Sequence, residues 1–133
     1  CGLSPDGRTL YMADTEGARL WSFEVQAPGR LKPKAQFASH GGTVLAGLGG
    51  GGRFDSLAIM ASGNIAVATL MAGCITEFSP AGEIVRSVQM PDCYPTNICF
   101  GGADMCTAYV TLSHSGRLAM LRWPEPGLAL AFG

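Results

Sequence analysis

The chain has 133 residues, 47% of them apolar and only 14% charged, with a formal charge of -1. That is enough for one ordinary domain with a real core, and too apolar for a disordered chain. The near-neutral balance without a basic run disfavours nucleic acid, and no apolar stretch nears the ~20 residues that span a bilayer, so no membrane contact is expected.

In chain order, Ser4-Pro5-Asp6-Gly7 is a turn pattern, joining a strand that ends near Leu3 to one over Thr9–Ala13. Asp14-Thr15-Glu16-Gly17 turns the chain into Arg19–Glu24, and a weaker fourth strand is expected over Ala35–Ala38. Gly41-Gly42 and Gly47–Gly52 read as a flexible connection over 41–54. A second unit follows with strands Leu57–Met60, Ile65–Thr69, Cys74–Phe78 and Glu83–Val88, separated by Gly- and Pro-containing turns. The third unit has Ile98–Phe100, Ala108–Leu112 and Arg117–Trp123, with no clear fourth strand. After the Pro124 to Gly127 break, Leu128–Phe132 is a last strand or a tail.

Leu10 to Leu20, Ile65 to Ile75 and Ala108 to Leu118 are each ten residues apart. Recurring short strands with a period of about 40 to 50 residues mark propeller blades. The expectation is an all-β propeller of about three four-stranded blades over 1–40, 55–91 and 92–123, with a tail over 124–133.

Gly47 to Gly52 satisfies G-x-G-x-x-G, but a dinucleotide fingerprint needs a helix after it and here a strand follows. Five cysteines at wide spacings, with no C-x-x-C pair, argue against a zinc site or a disulfide framework and fit free thiols in a cytoplasmic protein.

Inner blade strands line the central channel. Asp55 and Thr96 each stand four residues before the end of such a strand, so both are expected at one mouth, beside the turns at Asp14-Thr15-Glu16, Leu70-Met71-Ala72 and Ser113-His114-Ser115. Asp55 reads either as a cap for its turn or as a ligand to a cation or donor, and the residues leave both open. His114 is a candidate proton shuttle or an exposed loop histidine, Asn97 joins the mouth beside Thr96, and His40 reads as loop.

Ser4 to Tyr11 with Ala13-Asp14, Gly52 to Ala58, Gly63-Asn64 with Val67-Ala68-Thr69, and Tyr94 to Gly102 together resemble the gluconolactonase, regucalcin and senescence-marker-protein family over essentially the whole chain. The resemblance implies a six-bladed propeller that binds one divalent cation in its channel and hydrolyses a small-molecule lactone or related ester. Calcium is the first choice, with zinc, magnesium or manganese as alternatives. The family's metal ligands are a Glu, two Asn and an Asp, and that Asp falls on Asp55, which the resemblance makes both metal ligand and catalytic group. The other three have no counterpart, one Asn belonging just before Cys1. The chain is therefore expected to be the C-terminal half of such a hydrolase, with a homodimer completing the ring, or else a non-catalytic half-propeller that binds or assembles.

Overall fold

The computed structural model describes residues 1–130, and every regular element in them is a β-strand. Twelve strands form three antiparallel sheets. The first holds β1 (Gly2–Leu3), β2 (Thr9–Asp14), β3 (Arg19–Ala27), β4 (Arg30–Leu31) and β5 (Thr43–Gly47). The second holds β6 (Arg53–Ile59), β7 (Ile65–Leu70), β8 (Cys74–Phe78) and β9 (Ile84–Gln89), and the third β10 (Pro95–Gly101), β11 (Thr107–Leu112) and β12 (Arg117–Arg122).

Two corrections concern the first unit and its connection. The segment expected as a fourth strand, Ala35–Ala38, is loop, and the strand that pairs with β3 is Thr43–Gly47, inside the stretch read as a flexible connection. Its Thr-Val-Leu core favours extended backbone, and pairing with β3 overrides the surrounding glycines. β3 itself runs on to Ala27 and folds back through β4 before the chain returns. The Gly-rich stretch after β5 leads into β6, not into a helix, which removes the dinucleotide reading. The third sheet has three strands. Leu128–Phe132 forms no strand in its described part, and its last two residues lie outside the described residues; Gly127, just before it, makes an isolated bridge to Met60.

The repeat read in the sequence is a repeat of register. Leu10 pairs with Leu3 and Phe23, Ile65 with Ile59 and Phe78, and Ala108 with Phe100 and Leu121. Leu20, Ile75 and Leu118 then fall opposite Ala13, Ala68 and Thr111. Any two sheets can therefore be compared residue by residue.

β6 packs against β1 and β2 on one side and β10 on the other, so the inner strands gather while the outer ones splay. Side chains alternate across each sheet. The rear face of the second sheet, with Ile65, Val67 and Phe78, packs on Tyr11 and Leu20 of the first. Its forward face, with Ala66, Ala68 and Ile75, packs on Ala108, Val110 and Leu112 of the third. Trp123 closes that second core beside Phe100. The middle sheet is buried on both faces, and each outer sheet on one.

Candidate functional site

β6 and β10 each carry an extra residue, in the same place. Phe54 pairs with Thr69 and Leu57 with Val67, so Asp55 and Ser56 share one step of the ladder. Pro95 pairs with Leu112 and Asn97 with Thr111, which leaves Thr96 as the surplus residue. Through the common register Asp55 is the counterpart of Thr96, and Ser56 of Asn97. Such bulges bend a strand and re-aim its side chains, and they concentrate beside active sites. Because β6 packs against β10, the two bulges adjoin at one end of the fold.

The turns of that end are tied to the starts of these strands. Arg53 Nη1 lies 2.7 Å from Glu16 Oε2, holding the turn after β2 against β6. Met71 N donates to Cys93 O at 2.9 Å, and Ser113 N donates to Tyr94 O at 2.9 Å. Gln89 Nε2 donates to Gly73 O at 2.8 Å. Gly73 is required here: its φ is +64°, and a Cβ would stand 2.9 Å from Asp92 O. Met71, two residues earlier, holds φ 66° without being glycine.

Asp92 secures this cluster. It is buried; its Oδ1 accepts from Tyr94 N at 2.8 Å and its Oδ2 from Ser115 N at 2.8 Å and Ser115 Oγ at 2.7 Å. Burial acts to raise its pKa, but the bonds from Ser115 and Tyr94 and the neighbouring His114 outweigh burial and hold the carboxyl below its ordinary value. The sequence reading missed this residue. An Asp two positions before the amide it caps is an Asx-turn pattern and was the available signal.

Of the residues singled out in the sequence, Asp14 accepts from Gly17 N at 3.0 Å and caps its own turn. Thr96 Oγ1 and Thr111 Oγ1 share a hydrogen bond of 2.8 Å, and Asn97 Oδ1 accepts from Ile98 N at 2.9 Å. His114 is exposed, its ring 6.2 Å from that of Tyr94 and tilted by 38°. Asp55 is partly buried and takes no part in the ion pairs of the described residues.

These residues do not complete a cation site. A hard cation such as calcium takes six to eight oxygens. The described residues hold no group of three or more His, Cys, Asp or Glu able to bind a metal, and the residues at the matching bulge of the next strand, Thr96 and Asn97, are neutral. A wide groove of the surface lies elsewhere, on the rear face of the first sheet between Leu3, Leu10, Val25 and Leu31.

The other buried carboxylate, Glu77, was also missed, although a lone charge within apolar β8 marks it. Its Oε1 accepts from Asn64 Nδ2 at 2.7 Å and its Oε2 from Trp123 Nε1 at 3.1 Å. Arg86 Nε lies 2.8 Å from Oε2 with its N–H directed off the oxygen, an ion pair without an aligned hydrogen bond. Asn64 and Trp123 place this network at the opposite end of the sheets from Asp55, where it joins the second sheet to the third.

Residues 1–114 match the family described as SMP-30/Gluconolactonase/LRE-like region. A 6-deoxy-6-sulfogluconolactonase of Pseudomonas putida is 31% identical over 96% of this chain and 43% of its own length. A luciferin-regenerating enzyme superposes with a TM-score of 0.75 at 20% identity, over 96% of this chain and 45% of that one. A calcium-binding protein, regucalcin, from Agrobacterium tumefaciens does so with a TM-score of 0.72 at 23% identity, over 96% and 48%. The chain thus spans less than half the length of each.

Proposed function

Because this chain belongs to the SMP-30/gluconolactonase/LRE-like family, we propose that it is one half of a lactone-hydrolysing propeller and that Asp55 is the carboxylate it brings to the reaction. The observation that supports this most is the paired bulge, which gives Asp55 and Thr96 the same register position on two strands that pack together, with Asp55 in no ion pair among the described residues. The substrate class is a sugar lactone or related ester, in keeping with the lactonase relative.

Hydrolysis adds water to the acyl carbon and expels the ring oxygen as a hydroxyl. A carboxylate within hydrogen-bond reach of that water accepts its proton as the new C–O bond forms, an effect of about 10²- to 10⁴-fold. Asp55 takes this role. Thr96 and Asn97 line the approach on the neighbouring strand, and Asp14 and His114 stand on the surrounding turns. Asp55 is also the carboxylate that the described residues would offer a divalent cation. Calcium is the first choice, supported by the calcium-binding relative, with magnesium, manganese or zinc as alternatives. A cytoplasmic setting is supported by five free thiols, three of them exposed.

The test is hydrolysis of glucono-1,5-lactone, followed by acid release, together with calorimetric titration of calcium into the wild-type chain and Asp55→Asn. The expected result is measurable turnover that falls about 100-fold or more in the variant, with weakened cation binding. Equal rates and equal binding would remove Asp55 from the reaction.

The lack of a three-ligand cluster in the described residues favours a second reading, a non-catalytic half-propeller that serves in binding or assembly. A folded wild-type chain that turns over no lactone at saturating calcium would select it.

A further inference from the structure

Among the described residues Asp92 is the buried carboxylate at the Asp55 end of the sheets, and the hydrolytic step leaves it unused. An Asx turn asks only for the bond from Tyr94 N to Asp92 Oδ1, at 2.8 Å. The second oxygen reaches further. It accepts from Ser115 N at 2.8 Å and Ser115 Oγ at 2.7 Å, 23 residues along the chain and in the turn of the next sheet. These bonds offset the cost of burying the charge. The carboxylate therefore bolts the loop before β10 to the turn that carries His114, and all of its partners lie between the second and third sheets.

The hold passes into β10 through rigid backbone. Tyr94 is tied at both of its main-chain polar groups, its N–H donating to Asp92 and its carbonyl accepting from Ser113 N at 2.9 Å. Pro95 follows, fully buried and with φ fixed by its ring, and the next residue is Thr96 of the bulge. On the other side, Met71 N donates to Cys93 O at 2.9 Å, which fixes the turn after β7 to the same loop. Gln89 Nε2 holds that turn again, through Ala72 O at 3.1 Å and Gly73 O at 2.8 Å. Leu70, just before the turn, pairs with Arg53, two residues before Asp55. The path of bonds from one bulge to the other thus runs through the loop that Asp92 holds.

We propose that Asp92 is a positioning residue of this site: without touching the substrate, it sets Thr96, Asn97 and His114 at the separation from Asp55 that the ring of a sugar lactone needs. The inference rests on the hydrolytic reading for the class of ligand, and on the bonds alone for the role of Asp92. A ring held between two strands feels small displacements of either, since a shift of ~1 Å is worth up to about 100-fold. Asp55 keeps its own place through the ladder of β6 with β7. Loss of Asp92 therefore weakens binding of the ring more than it slows the chemical step.

Titration of 1,5-anhydro-D-glucitol, the lactone ring without its carbonyl, followed by two-dimensional amide NMR, tests this beside lactone turnover. In the wild type the amides of Thr96, Asn97 and His114 are expected to shift. Asp92→Ala should weaken that binding about tenfold or more and raise KM alike, with kcat changing little. Asp92→Asn keeps the acceptor for Tyr94 N and should recover part of the affinity; Ser115→Ala, which removes one bond of the three, should lose less than Asp92→Ala. These two carry the test if Asp92→Ala fails to fold. Gly82→Ala, in a turn at the opposite end of the sheets, should lower stability and leave binding as it is. No shift at those amides in the wild type, Asp92 variants that bind as tightly as the wild type, or a loss in Gly82→Ala as large as in Asp92→Ala would each overturn the proposal. Wild-type affinity in Asp92→Ala, while Asp55→Asn still loses turnover, would leave the hydrolytic reading standing. Equal turnover in Asp55→Asn, with ring binding that depends on Asp92, would remove that reading and keep the positioning role.

Discussion

Ile75 and Leu118 occupy the same position in successive sheets, opposite Ala68 and Thr111 of the preceding strands, yet Ile75 is fully buried and Leu118 is 64% exposed. The local pattern is the same, and the difference is what lies in front of the sheet. Among the described residues the second sheet has a neighbour on each side, while the third has one only behind it. Local sequence makes the sheet, and place in the stack decides which of its residues hold the fold together.

Glu77 and Met120 extend the same contrast, being counterparts one step further along. Glu77→Leu should be the most damaging change, since it leaves Trp123 Nε1 without its acceptor in the core and takes from half-buried Arg86 the nearer of its two carboxylates; breaking a buried pair on one side costs about 3–5 kcal/mol. Met120→Leu, in a dilute monomer, should stay within about 0.5 kcal/mol of wild type. Urea denaturation of the two variants measures both, and similar losses would break the comparison.

A smaller effect is expected where the first sheet meets the second. Gly82 has φ +87°, and a Cβ there would run into the Leu45 carbonyl. Gly82→Ala should therefore cost on the order of 1–3 kcal/mol through backbone strain. Gly116, also at positive φ but with open space around it, should cost less when changed to Ala. Thermal melts of the two decide whether the junction matters beyond backbone conformation.

Asp92 adds a dependence on pH. Its carboxyl is held below the ordinary value of 3.8, so its stabilising bonds are present above that value and are lost as pH falls through the lower folded value. The gap in Tm between wild type and Asp92→Ala should be full at neutral pH and narrow below about pH 4. A gap that stays constant down to pH 2 would show that the carboxylate charge does nothing there.

The least change in stability is expected at Asp55. Asp55→Asn should move the denaturation midpoint by no more than about 0.5 kcal/mol, because no ion pair is lost, while lactone turnover falls. A large loss of stability would make Asp55 a structural residue.

Much of the fold was legible in the residues. Alternating β7 and compact β8, with turns carrying Gly63 and Gly82, locate the second sheet closely, and the ten-residue spacing carries the register of all three. Thr43–Gly47 was not legible, because glycines flank it on both sides and its partner β3 lies about 20 residues earlier; long-range pairing makes it a strand. The bulge at Asp55 was visible only as a position counted back from the strand end, whereas its match with Thr96 needs the ladder itself. Asp92 and Glu77 each carry a local mark, an Asx-turn pattern and a lone charge in an apolar strand, but the distant donors that give them their roles, Ser115 and Trp123, appear only in the fold.

The claim beneath all of this is that the middle sheet is enclosed and the third is open in front. Ile75→Ala and Leu118→Ala, unfolded in urea at a concentration where the chain is monomeric, test it most directly. The expected loss is about 2–5 kcal/mol for the first and less than about 0.5 kcal/mol for the second. Equal losses at the two positions would contradict it.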